Sequence, residues 1–140
     1  MKKSYPLLWF LLYCFAHAYG QSSRPAIRQQ LLSIDTIKND SAAMAMLEQL
    51  VKTGDLIPVE LLRANARIIR RADALQQFAK SVKLANEGII LARNNGLDSI
   101  EGMFTTLAAT SNYFMDRKKE ALEFFKKPGQ YGVKHAVFQA

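Results

Sequence analysis

Ser81-Val82-Lys83-Leu84-Ala85 has a counterpart 40 residues to either side: Ser41-Ala42-Ala43-Met44-Ala45 before it and Ala121-Leu122-Glu123-Phe124-Phe125 after it. Each stretch opens an apolar run with helical spacing. A fixed period of this length is the mark of stacked helical hairpins, because one hairpin cannot bury its own apolar face and needs a copy beside it. The spacing predicts an all-α chain: a stack of about three antiparallel helical hairpins over residues 27–128.

Working outward, Ile27, Leu31, Ile34 and Ile37 keep helical spacing up to Asn39-Asp40, where Asp40 or Ser41 can cap the next helix. That helix, Ser41 to Thr53, carries Met44, Leu47, Leu50 and Val51 on one face and stops at Gly54, a residue suited to a left-handed stop. Pro58 fits the first turn of a helix running to about Ala72. Asp73 breaks the pattern, Ala74 to Arg93 follows, and Asn94-Asn95-Gly96 ends it. Ile100, Met103, Phe104, Leu107, Phe114 and Met115 form the next apolar face, and Glu120 to Lys127 the last helix before Pro128-Gly129. Turns are therefore expected near 39–40, 54–57, 73–74, 94–98 and 116–117, with Leu84, Phe104, Leu107, Phe114 and Phe124 among the most buried side chains. No stretch sustains the alternation of a strand, so no sheet is expected.

The first twenty residues read differently. Met1-Lys2-Lys3 is a basic start, Leu7 to Ala16 is apolar, and Ala18-Tyr19-Gly20 places small residues before Gln21. This is the layout of a secretory signal peptide, cleaved before Gln21, or before Tyr19 if Ala16-His17-Ala18 is used. An uncleaved anchor is the rival reading, but the apolar run is shorter than the roughly 20 residues of a spanning helix. Cleavage removes Cys14, the only cysteine, so stability in an exported compartment rests on packing. It also removes Lys2 and Lys3 and no acidic residue, lowering the formal charge from +7 to +5. Residues 21–26 then read as a flexible start, and 129–140 as a tail or partial cap.

Asn112-Tyr113-Phe114-Met115-Asp116-Arg117-Lys118-Lys119-Glu120-Ala121-Leu122-Glu123-Phe124-Phe125-Lys126-Lys127 resembles the inter-helix turn and second helix of a tetratricopeptide repeat. Leu84 to Gly96 looks like the long second helix and loop of the extended repeats found in exported or sensor-linked bacterial proteins. The resemblance covers about residues 41–128 and departs from the family in its period of 40 and in Gly88 and Pro128, which stand where a small helical Ala is expected. It implies that the hairpins stack with a right-handed turn into a tetratricopeptide-like α-solenoid, with a groove that holds a protein or peptide partner. A second reading is the sensory or architectural front of a longer signalling protein, since only eleven residues follow Gly129.

Several residues are candidates for that contact. At 100° per position Arg63, Arg67, Arg70 and Arg71 share one face of their helix, opposite Leu61, Leu62, Ile68 and Ile69. Such a face either meets an acidic partner or is solvated and paired with a neighbouring helix. Asn65 projects from the apolar face of the same helix, where its amide makes a structural hydrogen bond or bonds a ligand backbone. Asn112 invites the same pair of readings, and Tyr113 offers aromatic contact area.

An enzyme is not expected, nor is a cofactor or metal. His135 is the only histidine after the signal, the carboxylates are scattered singly, and no phosphate loop or metal-ligand spacing is present. Nucleic acid is disfavoured as a partner, since no aromatic residues are interleaved with the arginines as a single-strand platform requires.

Overall fold

The computed structural model describes residues 23–126, and Pro25, whose missing N–H costs nothing at a helix start, opens the first of the six helices among them. They are α1 (Pro25–Asp35), α2 (Asp40–Thr53), α3 (Pro58–Ala74), α4 (Phe78–Asn94), α5 (Asp98–Phe114) and α6 (Lys118–Phe125). There is no strand among the described residues. The signal-like residues 1–20, the first two residues of the expected flexible start, the expected helix end at Lys127, Pro128 and the 129–140 tail with Tyr131 and His135 lie outside them.

From Pro58 on, the chain is built on a stricter unit than the 40-residue echo. Helices α3, α4 and α5 are each 17 residues long and helix starts fall at 58, 78, 98 and 118, so helix plus turn is 20 residues. The turns repeat in atomic detail. Gln76, Gly96 and Asp116 take left-handed φ values of 59°, 65° and 59°. In each turn the next residue's N–H closes back five positions: Gln77 to the Ala72 carbonyl at 2.8 Å, Leu97 to Ala92 at 2.9 Å and Arg117 to Asn112 at 2.9 Å. The left-handed residue itself donates to the carbonyl three before it, at 3.0, 3.1 and 3.0 Å. This pair of bonds satisfies carbonyls that a helix end leaves free.

The turn expected at 73–74 lies two residues later. Asp73 does not break α3; its carboxylate accepts the Ser111 hydroxyl of α5 at 3.1 and 3.2 Å. Gly54 is extended rather than left-handed, at φ −76°. Its lack of a side chain serves close approach instead, since a Cβ there would sit 2.5 Å from the Leu50 carbonyl oxygen. The cap of α2 is Asn39, one residue before the expected pair, with Oδ1 accepting from Ala42 N–H at 2.9 Å. The start expected to be free is held: Arg24 is clamped to α3, and Pro25-Ala26 already belong to α1.

Helix α3 divides the core. Ala64, Ile68 and Ala72, four apart, pack with Leu31 and Ile34 of α1 and Ala43, Met44, Leu47 and Leu50 of α2. Leu62, Ala66 and Ile69 pack with Ala85, Ile89 and Ala92 of α4 and Phe104 and Ala108 of α5. Alanines at the seams allow close helix approach, and long side chains fill the space between. Consecutive helices pair, and α1 touches α3 as α3 touches α5, so the first helices of successive hairpins form one layer.

Phe104 is fully buried, against Gly88 of α4. The glycine at that position therefore has a packing reason: a Cβ would lie 2.1–2.7 Å from three ring carbons. Leu84, Leu107 and Phe124, expected among the most buried, are only half-buried, because they sit at the margins of the two clusters. Phe114 is a correction. As the last residue of α5 it is 59% exposed, and it stacks on Phe78 at a centroid distance of 5.5 Å.

Candidate functional site

The four arginines share a face as their spacing requires, but three are engaged within the chain. Arg67 Nε donates to both carboxylate oxygens of Asp35 at 2.9 and 3.0 Å. Arg71 Nη1 donates to Asp40 at 2.6 Å and its Nη2 to the Asp35 carbonyl at 3.3 Å. Arg63 donates to the Ser23 hydroxyl. Only Arg70 of the four has no partner among the described residues. With Asp35, Asp40, Arg67 and Arg71 it lines an open polar pocket of about 330 Å³. The compensating carboxylates come from the last residue of α1 and the first of α2, more than 30 residues away, so local sequence did not reveal them.

The two carboxylates nearest in sequence are committed elsewhere. Asp73 bonds Ser111. Glu60, fully buried in the first turn of α3, accepts from Arg24 N–H at 2.7 Å, from Arg24 Nη2 at 2.7 Å and from Ile57 N–H at 3.2 Å. The Arg24 hydrogen bond holds its carboxyl below the ordinary value, outweighing the upward push of burial. Arg24 also reaches the Asp55 carbonyl, so one side chain joins the start of α1 to the loop before α3.

Asn65 is 7% exposed, and its Oδ1 is the one buried side-chain polar atom among the described residues with no hydrogen-bond partner. The structural bond across the helix pair is not made. Asn112 is also buried but donates to the carbonyl of Ala108 in its own helix at 2.9 Å. In the 40-residue register the counterpart of Asn65 is Thr105, and Asn112 matches Ala72. The two asparagines are thus not equivalent positions. Tyr113 is 57% exposed and sits edge-on to Phe114. The structure places Tyr113 apart from the arginine pocket rather than in its lining.

A site that sequence reading passed over lies between α4 and α6. Asn86, Ile89, Ile90 and Arg93 form one wall, Glu123 and Phe124 the other, and Thr105 of α5 also lines a cleft of about 420 Å³. Thr105 has its hydroxyl satisfied by the Glu101 carbonyl at 2.9 Å, so it presents its methyl without an unmet polar demand. Glu101, buried at the start of α5, holds Arg93 at 2.7 Å and fixes that end of the cleft. Ile90 stands 58% exposed at the cleft. The register contained a signal for it: Phe124 is the counterpart of Leu84, and Thr105 of Asn65. The seam beside Leu84 is filled by both core clusters, whereas the one beside Phe124 is open.

Among the described residues no three His, Cys, Asp or Glu side chains lie close enough to hold a metal ion, and no helix is long and apolar enough to cross a membrane. Against known protein families, characterised proteins and solved structures, the chain finds no match.

Proposed function

We propose that this chain is an exported, tetratricopeptide-like scaffold that holds a segment of another protein in the cleft between α4 and α6. The observation that carries the reading is that cleft, with Ile89, Ile90 and Phe124 giving apolar contact and Asn86, Arg93 and Glu123 at its borders. An exposed Ile90 beside a cleft of about 420 Å³ is the arrangement that accepts an apolar anchor while bordering polar groups fix its orientation. The arginine face is secondary. With Arg63, Arg67 and Arg71 engaged internally, Arg70 is the group left to meet an acidic residue of the partner.

The test places a photo-crosslinking residue at Asn86 beside the cleft, or at exposed Gln29 on α1 as a control, in the native host. A discrete adduct from position 86 alone, lost when Ile90→Glu is added with helicity unchanged, supports the reading. Equal adducts from both positions, or adducts indifferent to Ile90→Glu, overturn it. The mature amino terminus of the same material tests export: it begins at Gln21 or Tyr19, and recovery of intact Met1 removes that half of the proposal.

A further inference from the structure

The turn between α4 and α5 contains the dipeptide Asn95-Gly96, and both residues are exposed. We propose that Asn95 is a site of spontaneous deamidation, held in check in the folded protein by the hydrogen bonds of the turn that carries it.

The chemistry needs only the chain and water. The Gly96 backbone nitrogen, after losing its proton to solvent, attacks Cγ of Asn95. A new C–N bond closes a five-membered succinimide, the bond from Cγ to Nδ2 breaks, and the amide leaves as ammonia after taking up a proton. Water then opens the ring at either carbonyl, giving aspartate or isoaspartate. Glycine has no side chain to shield that nitrogen once the turn opens, and the space around the position is empty, since a Cβ built at Gly96 would find no atom within 4 Å. Asn94 has no such neighbour, since the residue after it is Asn95 with a full side chain.

The fold opposes each requirement. The Gly96 N–H donates to the Arg93 carbonyl at 3.1 Å, and the adjoining Leu97 N–H to Ala92 at 2.9 Å. Asn95 Nδ2 donates to the Leu91 carbonyl at 2.7 Å, which points the amide back along α4. Asn95 lies at φ −105°, ψ 7°, directing the Gly96 nitrogen into the turn. Attack therefore waits for an opening in which the Gly96 and Asn95 bonds both break. Conversion is also self-reinforcing. An aspartate would turn a carboxylate toward the Leu91 carbonyl, at the negative end of α4. An isoaspartate would add a backbone carbon to a turn whose length is set by the 20-residue spacing of the helix starts.

The test follows Asn95 by peptide mapping of the full purified chain in mildly alkaline buffer, folded and in denaturant, together with Gly96→Ala in denaturant, where folding is irrelevant. Two bonds of ordinary net strength predict conversion about tenfold or more slower in the folded chain. Support is conversion at Asn95 in denaturant, that slowing on folding, and near-abolition by Gly96→Ala. A folded rate equal to or above the unfolded rate overturns the protection, and an unchanged Asn95 in denaturant overturns the site.

Discussion

Replacing Gly88 by Ala sets helix propensity against packing. Gly88 lies inside α4, where an exposed Gly→Ala change gains about 1 kcal/mol. Here the new methyl would lie 2.1 Å from Phe104 Cδ1, 2.3 Å from Cε1 and 2.7 Å from Cγ, against ordinary carbon contacts of about 3.5–4.0 Å. The overlap involves the root of the ring as well as its edge, so a small rotation does not relieve it. Phe104 is fully buried among Ala85, Ile89, Ala92 and Ala108, which leaves the ring nowhere to move without displacing α5. Overpacking of this kind costs about 1–3 kcal/mol and more where backbones must part. Packing wins, and the expected net loss is about 1–2 kcal/mol, or a melting midpoint lower by about 5–10 °C in a domain of this size. Thermal and urea unfolding followed by circular dichroism measure it. Phe104→Leu in the same background removes Cε1 and the rigid ring, lets the remaining Cγ and Cδ atoms turn away from the new methyl, and recovers part of the loss, so the two changes are non-additive. A Gly88→Ala protein more stable than the parent, or strict additivity with Phe104→Leu, would refute the reasoning.

The repeated turns predict opposite effects for one kind of change. Gln76→Gly and Asp116→Gly relieve a left-handed side-chain residue and each stabilises by about 0.5–1 kcal/mol, while Gly96→Ala destabilises by about 1 kcal/mol; chemical denaturation of the three variants checks the signs. The Arg24 clasp gives a pH dependence. Because Glu60 has its folded pKa lowered from the ordinary 4.5, its contribution is full above that value and is lost as pH falls through the folded pKa. Arg24→Gln, which keeps the backbone N–H bond to Glu60, therefore lowers the melting midpoint at neutral pH, and its deficit shrinks in acid. A deficit that stays constant down to strongly acidic pH would show that the guanidinium acts by packing alone.

The helices were legible because their signals are local. Apolar spacing, Pro58 and Asn94-Asn95-Gly96 each act within one or two turns of chain, and the structure places elements where they fall. The reading went astray where a residue's role is set by one particular contact, or by its place at a helix end, and not by the local pattern. Asp73 reads as a breaker until Ser111, 38 residues on, donates to it. Gly54 reads as a left-handed stop until the Leu50 carbonyl is seen to occupy the space a Cβ would need. Phe114 is apolar and in register, but as the last residue of α5 it lies outside both core clusters.

The candidate site was harder to read for a related reason. A row of four arginines is conspicuous in sequence because like charges on one face demand compensation, yet the compensation arrives from Asp35 and Asp40 and consumes most of the face. A cleft gives no such local signal; it is an empty position in a repeated arrangement. Its outline appears only when equivalent residues are compared across the 40-residue register. Leu84 closes its seam by packing on both clusters, and Phe124 borders one that stays open beside Ile90. Asn65 and Thr105 sharpen the contrast. Thr105 answers its own hydroxyl through the Glu101 carbonyl and can border an open apolar cleft at no cost, whereas Asn65 keeps a buried oxygen unanswered. An orphaned buried acceptor forgoes roughly 1–3 kcal/mol. One register position thus carries a penalty in its first copy, Asn65, that its second copy, Thr105, avoids, and it is the second that borders the cleft.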